Sequence, residues 1–173
     1  MRRVSMVVAL ALMTPPLALQ TAGAQDACAK FAWPIAQERA QFAAATKPVW
    51  PSGTVRSDVP GEAFALRLEP ASSAKLSRAP ERPARHGGAY AGMVSIGALK
   101  PGLYQITLSD EAWIDVIQGD AFARSAAHSS SRDCKGVRKS VRFHLSAAPV
   151  VIQLSDVAVP VVDIALRPIT DAK

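Results

Sequence analysis

From residue 64 towards the C-terminus, apolar and polar residues alternate with a period of two, which is typical of strands with one buried face. Turn residues separate about eight such segments, and Gly119-Asp120 predicts a two-residue hairpin loop. The alternating segments are EAFALRLEP, AYAGMVSIG, LYQITL, AWIDVIQ, AFARSAA, VRKSVRFHL, APVVIQLSD and VVDIALRP. The residues predicted to face the core are Phe64, Leu66, Leu68, Tyr104, Ile106, Leu108, Val137, Val141, Phe143, Leu145, Ile152, Leu154, Val162, Ile164 and Leu166.

The segment before residue 46 has a helical period instead. AWPIAQERAQFAAAT contains good helix formers with apolar residues three and four positions apart, and Pro34 suits a first turn. We therefore predict a helix over residues 34–45. The following segment, TKPVWPSGTVRSDVPG, contains the proline, glycine and serine residues that are typical of a loop. A second connection, residues 70–88, is rich in proline and arginine and is long for a compact domain, so it is either mobile or a working loop.

The order of these elements predicts the fold class. The strands are not separated by helices, which argues against a parallel α/β fold. The prediction is a mainly β protein, an antiparallel β-sandwich or jelly-roll-like domain with one short N-terminal helix. Residues 25–173 have the length of one ordinary domain with room for a core, so we predict a single domain.

The N-terminus has the features of a secretory signal peptide. Arg2 and Arg3 precede an apolar run over residues 7–19 that is too short to span a bilayer comfortably, and AGA at 22–24 fits signal-peptidase cleavage. We predict that residues 1–24 are removed; the alternative is an uncleaved anchor. No other stretch is apolar enough to cross a membrane, so a periplasmic or secreted protein without a transmembrane anchor is predicted.

The two cysteines, Cys28 and Cys134, are expected to pair in such an oxidising compartment. The alternative is a redox pair or a set of metal ligands. It is disfavoured because the chain has no C-x-x-C motif and no histidine near Cys28.

Asp115 stands inside AWIDVI, whose two faces are both mostly apolar, so this segment is predicted to be a central strand covered on both sides. A buried carboxylate needs hydrogen bonds or a positive partner, and Arg142, Arg138 or Arg124 could supply the charge. One interpretation is therefore a structural aspartate. The other is a ligand or cation contact beside Trp113.

The chain is basic, and its positive charge is concentrated in two segments. Twenty Lys and Arg face fourteen Asp and Glu, a formal net charge of +6, or +4 without Arg2 and Arg3. On the predicted strand VRKSVRFHL, Arg138, Arg142 and His144 share the face opposite the core residues. The loop KLSRAPERPARH adds Lys75, Arg78, Arg82, Arg85 and His86.

The Arg138–Arg142–His144 face is either a plain solvated surface or a platform for phosphate and carboxylate groups. Those groups occur on anionic glycans, lipopolysaccharide and partner proteins. Nucleic acid is not a predicted partner, because the protein is exported and its aromatic residues do not interleave with the basic face.

Enzymatic motifs are scarce. No G-x-S-x-G motif occurs, and the serines of SSSRDC have no recognisable base and orienting group that would make one of them a nucleophile. The histidines His86, His128 and His144 could surround a metal with a carboxylate, but no H-x-H, H-x-x-x-H or H-E-x-x-H pair is present. The sequence therefore predicts no metal site, no cofactor and no catalytic residue.

Two resemblances involve longer segments. PGLYQITLS, WIDVIQGDAFARSAA, FHLSAAPVVIQLSD and VDIALRP resemble, in this order, bacterial pre-peptidase C-terminal domains. That resemblance implies a small secreted β-sandwich and implies no reaction. CAKFAWPIAQERAQF and EAWIDV are similar to a group of short exported proteobacterial proteins whose function is uncharacterised.

These observations predict an exported, non-enzymatic binding or interaction domain that contacts anionic envelope glycans, lipopolysaccharide or a protein partner. The predicted binding residues are Arg138, Arg142, His144, Trp113 and Asp115. The alternative is a small metal-dependent β-barrel enzyme of the cupin type, since short exported chains similar to this one sometimes carry a homogentisate dioxygenase label.

Overall fold

The computed structural model describes residues 26–85 and 87–170. The predicted signal peptide, residues 1–24, and the candidate metal ligand His86 therefore lie outside the described residues. None of the helices in the described ranges is long and apolar enough to cross a membrane.

The described chain is mainly β, with its helical elements at the start. A 3₁₀ helix, Ala27–Lys30, is followed by the α-helix α1, Ala36–Phe42. The strands are β1 Val49–Pro51, β2 Thr54–Arg56, β3 Phe64–Arg67, β4 Glu69–Pro70, β5 Tyr90–Ile96, β6 Gly102–Leu108, β7 Trp113–Gln118, β8 Ala121–Phe122, β9 Ser125–Ser130, β10 Lys139–Leu145, β11 Val150–Val157 and β12 Val161–Pro168.

The strands form two sheets that pack against each other, so the predicted β-sandwich is confirmed. Sheet A has the order β1-β3-β12-β6-β10-β9. Sheet B has the order β2-β5-β11-β7-β8, and β4 also pairs with β5. The sheets are mixed rather than purely antiparallel, because β1 pairs parallel to β3 and β2 pairs parallel to β5. These short strands follow each other along one edge of the sandwich, and each joins a different sheet.

The main core lies between the sheets and follows the predicted alternation. Its fully buried residues include Phe64, Ile106 and Leu154, and each such side chain stabilises the fold by about 1.5–3 kcal/mol. All the predicted core residues lie in this cluster except Val137. Val137 precedes β10 and packs in a second, smaller cluster.

The second cluster attaches the N-terminal segment, residues 26–47, to the outer face of sheet A. It consists of Cys28, Phe31, Trp33, Ile35, Phe42, Ala63, Cys134, Val137 and Ala165. The predicted bridge between Cys28 and Cys134 is confirmed. This layer explains why Gln105 and Thr107 of β6 are fully buried, although they alternate with the core residues of the same strand.

The Pro- and Arg-rich connection covers the outer face of sheet B and is held there by hydrogen bonds between its backbone and side chains of β11. The Arg78 N–H donates to Oε1 of Gln153 at 3.3 Å, and Nε2 of Gln153 donates to the Arg78 carbonyl at 3.0 Å. The Arg85 and Gly88 N–H groups donate to the carboxylate of Asp156 at 2.8 Å each. The sandwich thus has an added layer on each side.

Three local predictions differ from the structure. The predicted helix over residues 34–45 begins at Ala36, because Ile35 is buried in the second cluster with a non-helical backbone (φ −125°, ψ 18°). The predicted loop after it contains β1 and β2. The predicted strand AFARSAA is divided, since β8 stays in sheet B and β9 joins sheet A after the chain crosses at Ala123 and Arg124.

Candidate functional site

A cleft opens where the chain crosses from β8 to β9. The predicted hairpin at Gly119-Asp120 is present, but β8 pairs only with Ile117 and Gln118 at the end of β7. The first part of β7 is therefore left as a sheet edge opposite β9. The cleft between these two edges has a volume of about 610 Å³, which is in the range of small-molecule sites.

The cleft has an apolar floor and a mostly polar rim. The floor consists of core residues from both sheets: Ile114 and Val116 from β7, and Val141 and Phe143 from β10. The rim consists of Glu81, Arg82, Trp113, Asp115, Phe122, Ala123, Arg124, Ser125, His128, Ser130 and Lys139.

Asp115 is buried, as predicted, with 3% of its surface exposed. Hydrogen bonds hold its carboxylate, and none of the three suggested arginines bonds to it. Oδ1 accepts from the Trp113 indole N–H at 2.7 Å. Oδ2 accepts from the Glu81 backbone N–H at 3.3 Å and from Nε2 of Gln153 at 3.4 Å. Asp115 thus links sheet B to the covering loop, which supports the structural interpretation.

Burial raises the pKa of Asp115 above its ordinary value. The hydrogen bonds from Trp113, Glu81 and Gln153 lower the pKa, and the nearby Glu81 carboxylate raises it, but loss of hydration is the largest contribution. Ionised Asp115 is therefore accommodated in the folded protein at a cost.

This shift predicts how stability depends on pH. The folded state binds the Asp115 proton more tightly than the unfolded state. The contribution of this group is therefore fully present below the unfolded pKa and is lost as pH rises from about 4 through the folded pKa. We expect the unfolding free energy of the wild type, measured relative to Asp115→Asn, to fall over that window. Urea denaturation of both proteins from pH 3.5 to 7 measures this difference. A difference that grows with pH would contradict the assignment.

Arg82 and Trp113 form the wall of the cleft beside Asp115. The Arg82 guanidinium lies over the Trp113 ring, 4.5 Å from its centroid, while the indole N–H is held by Asp115. The ring is therefore fixed on one edge and supports a cation on its face. Arg124 is exposed at the crossing between the sheets. Within residues 26–85 and 87–170, neither Arg82 nor Arg124 forms an ion pair with an acidic side chain.

The structure does not bring Arg138, Arg142 and His144 together as an exposed strip. Arg142 is partly buried under the N-terminal segment, with its guanidinium 4.1 Å from the centroid of the Trp33 ring and its Nε donating to Oε1 of Gln105. Between Arg138 and Arg142, Ser140 is fully buried and accepts a hydrogen bond from the Trp33 indole N–H at 3.0 Å. Burial lowers the pKa of Arg142, and neighbouring Arg167 lowers it further.

Arg138 and His144 lie at opposite ends of this face. Nε of Arg138 is 3.3 Å from Oε2 of Glu111, and its Nη1 donates to the Arg132 carbonyl. This places Arg138 beside Ser130, at the end of β9, where a smaller cleft of about 260 Å³ lies. His144 is exposed. A binding role for these three residues stays a prediction, and only Arg138 lies near the β9 edge.

The residues described by the structure contain no cluster of three or more His, Cys, Asp or Glu side chains that could hold a metal ion. His128 lines the cleft on β9, and His144 lies on β10.

Sequence reasoning did not predict that Arg82, Arg124 and His128 share one site. Arg82 stood out only through the composition of its loop, Arg124 as a possible partner of Asp115, and His128 as a possible metal ligand. The β8–β9 crossing brings them together. The same crossing places them beside Trp113 and Asp115, the two predicted site residues that line this cleft.

Comparisons with protein-family models, with curated proteins and with solved structures found no match. The resemblance to pre-peptidase C-terminal domains therefore stays a prediction.

Proposed function

We propose that this protein is an exported, non-enzymatic binding module whose cleft takes a ligand with carboxylate or phosphate groups. The observation that carries the proposal is the combination of an apolar floor with two arginines that have no acidic partner among the described residues. Guanidinium forks suit planar anionic groups, and the floor suits an apolar part of the same ligand.

The compartment is part of this proposal. The Cys28–Cys134 disulfide is expected in an oxidising environment and is rare in the cytosol. Together with the predicted signal peptide, it supports a periplasmic or secreted protein.

The arrangement of the cleft supports binding more than nucleophilic catalysis. His128 is the natural base candidate, and Ser125 and Ser130 lie in the same cleft. In the described part of the chain, His128 makes no hydrogen bond to a serine hydroxyl or a carboxylate. An activated serine needs such an oriented base.

The test compares two variants that lose the same charge. Arg82→Gln with Arg124→Gln removes both cations of the rim. Arg67→Gln with Lys100→Gln removes two exposed cations from other parts of the protein. We expect the rim variant to bind immobilised heparin or lipopolysaccharide at least tenfold more weakly, because a single hydrogen bond to a charged group is worth about 1.5–3 kcal/mol and about 1.4 kcal/mol is a factor of ten. Wild-type binding should also weaken as salt rises.

The measurement is retention across a salt series, with circular dichroism to verify folding. The control variant should elute close to the wild type. If both variants lose retention equally, the binding depends on net charge alone and the cleft is not the site.

A further inference from the structure

Strand β9 is an edge strand whose outer side is unpaired. It pairs only with β10. The Ser131 N–H donates to the carbonyl of Arg138, the residue just before β10. Along a strand, the backbone groups of successive residues point to alternate sides. The backbone N–H and C=O groups of Ser130 and His128 therefore point away from β10, and they have no backbone partner within the described residues.

Apart from a β-bulge near its start, where Arg142 pairs with Ala127 and Phe143 pairs with Ser125, this edge lacks the features that usually protect exposed strands. Natural edge strands are kept very short or carry lysine, proline or charged side chains. The other terminal strands of the two sheets, β1, β2 and β8, have two or three residues each. Strand β9 has six residues, SAAHSS, and all but Ser129 are exposed. It contains no lysine, proline or acidic residue. An unpaired strand of this length is a template for another strand.

The cleft lies on the inner side of the same edge. His128 and Ser130 line it from β9. A strand added beside β9 would direct alternate side chains towards the cleft, because side chains alternate between the two faces of a sheet. Those side chains would meet the apolar floor between the sheets, and the others would face solvent.

The charge at this edge indicates the kind of strand that fits. Arg124 precedes β9 and Arg132 follows it, and both are exposed without an acidic partner in the described ranges. Pairing with a second copy of β9 would bring four arginines to one edge, which like-charge repulsion disfavours. An extended segment with acidic side chains near its ends would instead meet a cation at each end.

We propose that β9 is the docking strand for an extended acidic segment of a partner protein, which joins sheet A as a seventh strand. The proposal rests on the proposed function, since both use the same cleft. Here the anionic ligand of the cleft is specified as a peptide that is recognised through its backbone. Main-chain hydrogen bonds to His128 and Ser130 supply the pairing, and Arg124 and Arg132 select the acidic ends.

The probe is a synthetic peptide about ten residues long, at the upper end of ordinary strand lengths, with alternating valine and threonine and a glutamate near each end. Two further peptides carry N-methyl groups on alternate amides, one peptide on the odd-numbered amides and the other on the even-numbered amides. Only one of these two sets of amides can face β9 at a time. We expect saturable shifts of the His128 and Ser130 amide signals in NMR titrations with the parent peptide. One N-methylated peptide should bind at least tenfold more weakly than the other.

A protein variant tests the same contact. His128→Pro removes an N–H that points away from β10, so pairing between β9 and β10 is retained. His128→Ala removes the side chain alone. We expect His128→Pro to bind the peptide at least tenfold more weakly than His128→Ala. If His128→Pro does not fold, the two N-methylated peptides decide the question.

Three results would overturn the proposal: no saturable shift up to millimolar peptide, equal binding by both N-methylated peptides, or equal binding by the two His128 variants. Heparin or lipopolysaccharide retention that depends on Arg82 and Arg124, without peptide binding, would overturn strand docking and leave the proposed function standing.

Discussion

Replacing Cys28 and Cys134 together by serine is expected to lower the free energy of unfolding by about 4 kcal/mol. The bridge joins residues 106 positions apart, so it restricts the unfolded chain strongly. It also connects the 3₁₀ helix at Ala27–Lys30 to the turn before β10, and both cysteines are buried. Without it, the second cluster should loosen first, because both bridged cysteines belong to that cluster.

Urea denaturation of the double serine variant and the oxidised wild type measures this loss. The wild type unfolded under reducing conditions is the internal control and should match the variant. Thiol titration of the denatured, unreduced protein should find no free thiol. Two free thiols per chain, or a difference in unfolding free energy under about 1 kcal/mol, would contradict the predicted stabilisation by the bridge.

Glu38→Gln is expected to destabilise the protein by about 3 kcal/mol, because it leaves a partly buried arginine without its partner. Only 1% of Glu38 is exposed, and its Oε1 accepts from Nε2 of Gln105 and from Nε of Arg167, both at 2.6 Å. This carboxylate fastens α1 to β6 and β12. It also offsets the positive charge of Arg142, which lies under the same layer.

Glu62→Gln is the matched control, since Glu62 is exposed and forms no ion pair within the described ranges. Its effect should stay within about 0.5 kcal/mol. Chemical denaturation of the two variants and the wild type at pH 7 gives the comparison. An equal loss for both would mean that the Glu38 cluster contributes no more than a surface carboxylate does.

The Arg138–Arg142–His144 face shows where prediction from the sequence was limited. On the strand VRKSVRFHL, alternation correctly separated Val141 and Phe143 from Arg142, but it could not show what lies on the other face. That face is covered by Trp33, a residue more than one hundred positions away. A partly buried arginine under an indole and an exposed arginine have the same sequence pattern.

Asp115 shows the opposite case. An aspartate among apolar neighbours on both faces predicted burial from local pattern alone, and burial is what the structure has. Its partners were not predictable, because two of its three donors belong to residues 81 and 153, far away in the chain. Neutral donors stand where an arginine was expected.

By itself, the sequence determined the class of fold, the core faces of the strands, the hairpin at Gly119-Asp120 and the pairing of its two cysteines. These features depend on local periodicity, on turn chemistry and on a count of two thiols. The tertiary structure alone decided that β8 is too short to cover β7, that the chain crosses to sheet A at Arg124, and that β9 is left as an unpaired edge. The cleft and its rim arise from that crossing, because hydrogen-bond pairing between distant strands is a property of the assembled sheets and leaves no periodic signal in the chain.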